Sequence, residues 1–598
     1  MSMRIRNPFR KNREQKSQAK NRVGTIKRIW SYLAVNSKLL YAVLAMVVIS
    51  SGLGLLGPYL LGIGIDQYIV TKDHQGILLL LMALLVIYIL HSVSLWYQNY
   101  WMVGIAQNTV FSMRTELFNQ LHRLPIHFFD KRQHGELMSR VTNDIENVSS
   151  TLNSSVIQIF SSLLTLIGTV TIMLWLSPLL TLITLIIIPL MFLGLKWITN
   201  RTGKLFKEQQ RYLGDLNGYI EEIISGQRIV KTFSQEEKVI NEFLDKSARL
   251  RGAGYLAQAY SGFIPKLMNV LNNVSFAIIA GVGGILALNG HITIGVIVIF
   301  AEYSRQFTRP LNDLANQFNT LLSAIAGAER VFDILDEEVE AKDEKLSSDI
   351  RDFNGDVEYR NVSFSYEKGG NTINDVSFIV EAGQSVAFVG STGAGKTTII
   401  NLLSRFYDPD GGTIFIDGID SSTIRRESLR KNMGFVLQDS YLFQASILEN
   451  IRYGRLDATD EEVIEAAKLA NAHSFIMKMP NQYNSILKQD GSGISQGQKQ
   501  LLSIARAILA NPSILILDEA TSSIDTVTEM RIQEALQRLM KGRTSFIIAH
   551  RLNTIEKADQ IIVLNDGEVM EKGTHNELLQ QKGYYHNLFT SQLKQQVM

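Results

Sequence analysis

Six long apolar runs punctuate the first half of the chain, at roughly 39–65, 77–102, 157–176, 179–199, 267–289 and 292–318. A helix crosses the ~30 Å hydrocarbon core of a bilayer with about 20 apolar residues, so each run is long enough to span. The connections alternate in charge. Segment 66–76 holds a single basic residue, Lys72, the third and fourth runs meet at Ser177-Pro178, and the fifth and sixth meet at Asn289-Gly290-His291. By contrast, segment 103–150 carries five Lys or Arg and segment 199–264 carries ten. The positive-inside bias places both long loops and both termini on the cytoplasmic side.

Those long loops contain few Gly or Pro and keep apolar positions at helical spacing. Folded as antiparallel arms of about 20–30 residues, they extend the spans ~30–45 Å into the cytosol at 1.5 Å per residue. Their tips, expected near Arg123–Gly135 and Arg211–Gly218, are candidate docking points for the rest of the chain. Asp333–Glu344 is acidic, lacks apolar periodicity and reads as an exposed connector. Ahead of the first run, Met1–Lys38 carries eleven Lys or Arg and one acid, Glu14. With a span directly behind it, this is expected to be a cytoplasmic tail beside anionic headgroups rather than a DNA-binding arm. No short apolar segment with a small-residue cleavage site follows, so the first span reads as an uncleaved anchor.

Beyond residue 355 the pattern changes to short strands and amphipathic helices. Val357, Tyr359, Val362, Phe364 and Tyr366 alternate partly with period two. Ser385–Val389 is the apolar run of a buried parallel strand. The sequence GSTGAGKT follows at once, as Gly390, Ser391, Thr392, Gly393, Ala394, Gly395, Lys396 and Thr397, with Thr398 opening a helix-like stretch. Glycines at this spacing let backbone N–H groups curl around phosphates at a helix N-terminus. Lys396 is placed to reach the β- and γ-phosphates of a nucleotide, and the Thr397 hydroxyl to ligate Mg²⁺. A second strand, Ile514–Leu517, delivers Asp518 and Glu519 at its C-terminal end, the usual ligand edge of such a sheet. Asp518 is expected to hold Mg²⁺ through water and Glu519 to act as general base on an attacking water. A third strand, Thr544–Ala549, ends in His550, positioned to contact a γ-phosphate, and Gln438 follows the strand Gly434–Leu437 as a candidate metal or water ligand.

Composition narrows the picture further. The chain is 46% hydrophobic with a net charge of +2, which gives no bias toward nucleic acid. It has no cysteine, which excludes disulfides, thiolate metal sites and a cysteine protease. The expected architecture is multidomain: a basic tail and elbow (1–38), an all-α six-helix transmembrane domain (39–325), a linker (326–354) and an α/β P-loop ATP-binding domain (355–598).

The ordered set of motifs resembles the ATP-binding cassette family, specifically exporters whose six spans precede the cassette on one chain. Ile494-Ser495-Gln496-Gly497-Gln498 is similar to that family's signature and lies upstream of Ala505-Arg506-Ala507 and Asp518-Glu519. The resemblance, covering about residues 25–590, implies further roles. Tyr366 would stack on adenine, Gln438 would occupy the Q-loop, Ser523-Ile524-Asp525 the D-loop, and His550 would be the switch histidine. It also implies a dimer closing head to tail around two ATP molecules, each lying between one chain's P-loop and the other chain's signature. The Ser495 hydroxyl and nearby backbone N–H groups would then face the γ-phosphate. Two positions depart from the pattern: Gln496 replaces the usual second glycine, and Gln489 stands where a glutamate is common. Competent catalytic residues beside an altered signature resemble one subunit of a heterodimeric bacterial multidrug exporter, with a homodimer as the alternative.

The expected substrate is a small hydrophobic or amphipathic compound taken from the cytoplasm or inner leaflet and moved across the plasma membrane of a bacterium. A homodimeric lipid flippase is the rival reading. Candidate cavity residues are His91, Trp96, Gln98, Asn272, Asn273 and Glu302. An acid within a span costs ~2.5–3.5 kcal/mol on insertion scales. Glu302 therefore either attracts cationic substrates or pairs with Arg305 or Arg309 about one turn away.

Overall fold

The computed structural model describes residues 22–340, 353–367, 370, 372–438, 440–488, 491, 493–518, 524–549 and 552–597. Gln489, Glu519, Ser523 and His550 lie outside the described residues. The chain divides into two compact units. One comprises Met1–His122 and His134–Glu337, the other Arg123–Gln133 and Glu338–Met598.

The first unit is helical. Its main helices are α1 (Arg22–Ala34), α2 (Ser37–Gly64), α3 (His74–Leu121), α4 (Ile145–Leu176), α5 (Pro178–Ser225), α6 (Glu236–Ser261), α7 (Phe263–Leu288), α8 (Ile294–Gln306) and α9 (Thr308–Leu335). Among the described residues, four helical segments are long and apolar enough to cross a membrane: Ser37–Ile69, His74–Leu121, His134–Leu176 and Glu236–Leu288. The other two predicted runs also fall in helix, in α5 and across α8 and α9, but they do not enter that count, so the number six is not confirmed. Long continuous helices run through both segments expected to form arms. Helices α3 and α5 have 48 residues each, or about 72 Å at 1.5 Å per residue.

Three local departures from the sequence reading have physical causes. The second arm does not turn at Arg211–Gly218, because Gly214 and Gly218 sit inside α5 with open space around them. The helix ends instead at Gly226, and the chain reverses near Ser234, whose φ is +51°. The sixth run is broken between Gln306 and Thr308. Pro310, in the first turn of α9, lacks the N–H that would bond the Gln306 carbonyl. Finally, α9 continues to Leu335, into the stretch expected to be linker, because Ile325, Ala328, Val331, Phe332 and Ile334 are buried.

Within this unit some buried polar groups of the apolar bundle pair with one another or with backbone carbonyls, as a setting without water favours. The buried Tyr303 hydroxyl donates to the Leu55 carbonyl (2.7 Å), and the Ser275 and Ser304 hydroxyls lie 2.7 Å apart. Helices α2 and α8 approach through glycines: a Cβ on Gly295 would lie 2.1 Å from the Gly62 carbonyl oxygen. Asp66 fastens the same crossing, accepting from the Gly295 N–H (2.7 Å) and the Thr293 hydroxyl (2.6 Å).

The second unit contains two sheets. The antiparallel one has the order β2-β1-β4-β5, from β1 (Val357–Phe364), β2 (Ile373–Val380), β4 (Gly411–Ile416) and β5 (Ile419–Asp420). A register shift beside Asn361, whose φ is +49°, explains why the alternation in β1 is only partial. The six-stranded sheet has the order β10-β9-β3-β8-β7-β6. Its strands are β3 (Ser385–Gly390), β6 (Met433–Val436), β7 (Ile514–Asp518), β8 (Thr544–Ile548), β9 (Gln560–Asn565) and β10 (Glu568–Gly573). All pairings are parallel except β9–β10. Strand β3 is covered on both faces: Ala387 and Val389 enter one apolar core, Val386 and Phe388 the other.

Candidate nucleotide site

The register of the parallel strands sets the site. Phe388 and Asp518 each pair with Ile548, and Val436 pairs with Leu517. The C-terminal ends of β3, β6, β7 and β8 therefore share one edge. Gly390 and Asp518 lie on that edge, and Gln438, two residues past β6, is exposed beyond it.

Between β3 and helix α10 (Lys396–Leu403) the backbone needs its glycines. Gly393 and Gly395 have φ of +87° and +99°, where a side chain strains the chain. A Cβ on Gly390 would lie 2.2 Å from the Leu564 carbonyl oxygen. Lys396 is buried, and its ammonium donates to the carbonyls of Gly390 and Ser391, both at 2.8 Å. Burial pushes its pKa below the ordinary lysine value, and the Asp518 carboxylate opposes that shift. The lysine thus holds the loop in shape with a charge that a phosphate would stabilise further. Ser391, Thr392 and Thr397 are exposed beside it, while Ala394 and Thr398 are buried and anchor the loop from beneath.

The Thr397 hydroxyl and the Asp518 carboxylate are hard oxygen donors of the kind Mg²⁺ prefers. Among the described residues no group of three or more His, Cys, Asp or Glu could hold a metal alone. A cation held by two side chains, water and substrate phosphates fits such a donor set.

Tyr366 is half-buried, edge-on to Phe364 and Tyr407 with ring centroids 5.0 Å away in each case, and its hydroxyl accepts from Asn401 (3.1 Å). Tyr407 was not singled out by the sequence reading, yet it connects this aromatic group to a distant segment. Its hydroxyl donates to Asp130 (2.6 Å), and His127 packs near its ring. Both residues belong to Arg123–Gln133, the expected tip of the first arm, which is part of this compact unit. Burial, reinforced by the hydrogen bond to Asp130, raises the Tyr407 pKa above the ordinary tyrosine value.

The signature residues open helix α11 (Gln496–Ala510). Ser495 is its N-cap: its Oγ accepts from the Gln498 N–H (3.3 Å), while Gln498 Oε1 accepts from the Ser495 N–H (2.9 Å). The Ser495 N–H is therefore engaged within its own helix, and its hydroxyl proton stays available to an outside acceptor. Gln496 is exposed, whereas Gly497 is buried against helix α12 (Thr526–Met540). A Cβ on Gly497 would lie 2.4 Å from the Thr528 methyl and 3.1 Å from that of Ile524. Asp525 caps α12, accepting from the Thr528 N–H (2.9 Å), and this backbone hydrogen bond lowers its pKa.

Comparison with known proteins agrees with this geometry. The ABC transporter transmembrane region family matches residues 40–311, and the ABC transporter family matches residues 373–522. The chain is 63% identical to the uncharacterized ABC transporter ATP-binding protein YfiC of Bacillus subtilis strain 168, over 99% of both chains. It is 43% identical to the fatty acid ABC transporter ATP-binding/permease protein of Mycobacterium bovis, over 84% of this chain and 80% of the relative. It is 36% identical to the putative multidrug export ATP-binding/permease protein YgaD of Bacillus subtilis, over 95% of this chain and all of the relative. With a helical membrane region and a P-loop ATP-binding domain on one chain, the protein belongs to the ABC transporter family, as an integral-membrane exporter half-transporter that couples ATP hydrolysis to transport.

Proposed function

We propose that the chain is one half of a dimeric exporter, carrying amphipathic compounds from the cytoplasm or inner leaflet across a bacterial plasma membrane by alternating access. The observation that carries this reading is a P-loop lysine and a strand-end acid at one sheet edge, on the same chain as a helical bundle containing a polar cavity. In this reading six spans (39–325) precede a cytoplasmic nucleotide-binding domain (355–598), with the N-terminus also cytoplasmic. Gly390–Thr398 cradle the phosphates, and Tyr366 stacks on adenine. Thr397, Gln438 and Asp518 hold Mg²⁺, which neutralises phosphate charge. Glu519 polarises the attacking water and His550 orients the γ-phosphate. Ser495–Gln498 and Asp525 complete the site of the facing subunit, so ATP acts as a dimerisation ligand whose hydrolysis releases the closed state.

The partner is proposed to be a different half-transporter. Gln496 is exposed beside the buried Gly497, so its amide projects from the helix start that would face the partner's nucleotide. Assembly mass and Mg-ATPase rate of the chain alone in lipid nanodiscs test this point. An idle chain rescued by a co-expressed half-transporter supports the heterodimer; a stable dimer of identical chains with full turnover overturns it. Lipid or fatty-acid export is a second reading, favoured by the charged lining of the cavity and by the name of the 43%-identical relative.

A further inference from the structure

A cavity of about 560 Å³ lies between α2, α3, α4 and the α8–α9 pair, all within the helical unit. Leu95 and Ile157 contribute apolar surface to it, but its lining also carries charges of both signs. The two acids already have partners. Glu302 lies 3.5 Å from Arg305, and Asp313 accepts from the Gln158 amide at 2.7 Å. Glu302 is thus engaged by a cation of its own helix, which weakens the idea that it draws cationic substrates. Arg305 has both this acid and the face of Phe276, 5.4 Å from its guanidinium. Arg309 is different: its Nε is 3.9 Å from Asp313, beyond hydrogen-bond distance, and its side chain is 89% exposed.

Depth adds to the argument. Arg309 lies 15 residues past Ile294, where α8 begins, or ~22 Å along a helix within a ~30 Å core. That is the inner-leaflet side of the span. A guanidinium there whose ion pair with Asp313 is as long as 3.9 Å gains from a closer oxyanion, and its planar fork matches carboxylate or phosphate oxygens.

We propose that this cavity binds an amphiphile with a single acidic headgroup, and that Arg309 is the residue that selects for that charge. The acid meets the Arg309 guanidinium, and the first methylenes of the tail lie against Leu95 and Ile157. This deepens the exporter reading and rests on it.

The test measures equilibrium binding of four twelve-carbon probes to the full chain in nanodiscs, without nucleotide. The probes are dodecanoate, dodecyl phosphate, dodecyltrimethylammonium and dodecanol. Both anions are expected to bind at least tenfold more tightly than the cation and the alcohol, and their ratio separates a carboxylate from a phosphate headgroup. Arg309→Gln should weaken anion binding about tenfold or more and leave dodecanol unchanged, with Arg309→Lys restoring part of the loss. Asp313→Asn should tighten anion binding, a gain that misfolding cannot produce. Equal binding of anions and cation, or anion binding indifferent to Arg309→Gln and Asp313→Asn, overturns the proposal. ATP-driven uptake is scored separately in proteoliposomes, with a co-expressed partner half-transporter wherever turnover requires one. Selective binding without uptake of any probe would sink the exporter reading while sparing the charge assignment.

Discussion

Gly497→Ala is a small change with a calculable consequence. The added methyl would sit 2.4 Å from the Thr528 Cγ2, against a comfortable carbon–carbon separation of ~3.5–4.0 Å. Helix α12 must then move away by about 1 Å at its first turn. Overpacking of this kind costs about 2 kcal/mol. Alanine recovers about 1 kcal/mol through helix propensity, leaving a net destabilisation of about 1 kcal/mol. For a domain of this size that lowers the melting midpoint by ~2–4 °C. Ile524 and Asp525 shift with the helix, so ATP turnover should fall as well. The assay is thermal inactivation of ATP binding by the full chain in nanodiscs, with Gln496→Ala, at an exposed neighbour, as the control. Equal midpoints for Gly497→Ala and the parent would refute the claim that this signature glycine is fixed by packing against α12.

Two further outcomes follow from the same geometry. Tyr407→Phe removes the donor to Asp130 but keeps the aromatic cluster. It should change ATP affinity less than twofold while reducing the stimulation of ATP turnover by transported compounds, and full stimulation in Tyr407→Phe would deny the contact a coupling role. Asp525 has a folded-state pKa below its unfolded value of ~3.9, so its contribution is present above that value and is lost as pH falls through the folded pKa. Melting curves of Asp525→Asn and the parent should therefore differ at neutral pH and converge as pH falls through the folded-state pKa; a difference that stays constant on acidification would contradict the assignment.

The glycine-rich loop and strand edge of the candidate nucleotide site were legible because their determinants are local. Gly393, Gly395 and Lys396 lie within one turn of chain, and the strand runs before Gly390 and Asp518 are unmistakably apolar. The link from Tyr407 to Asp130 was not legible, since it joins positions 277 residues apart and neither residue stands out alone. The short segment Phe128-Phe129-Asp130 was visible as part of an arm tip, but its partner was not. The second arm tip was misplaced because a glycine inside a helix does not by itself mark a turn, and the left-handed residue of the actual reversal is Ser234. Gly214 and Gly218 pass through α5 unremarked, whereas Gly226 ends it. In the membrane unit, Glu302 had two readings that periodicity alone left level. Its 3.5 Å approach to Arg305 favours the ion pair, and among the charged Glu302, Arg305, Arg309 and Asp313 of the cavity lining Arg309 is the most exposed.

The central claim is that this chain's own loop and strand-end acids power transport by turning over ATP. The most direct measurement is ATP binding and Mg-dependent hydrolysis by the full chain in nanodiscs, with a co-expressed partner subunit where it is needed, for the parent, Lys396→Ala and Glu519→Gln. The account predicts that Lys396→Ala loses nucleotide affinity by tenfold or more, because two 2.8 Å contacts that shape the loop disappear together with the phosphate-facing charge. Glu519→Gln should bind ATP normally, hydrolyse almost none and accumulate a closed dimer. Hydrolysis at the parental rate in both variants would contradict it.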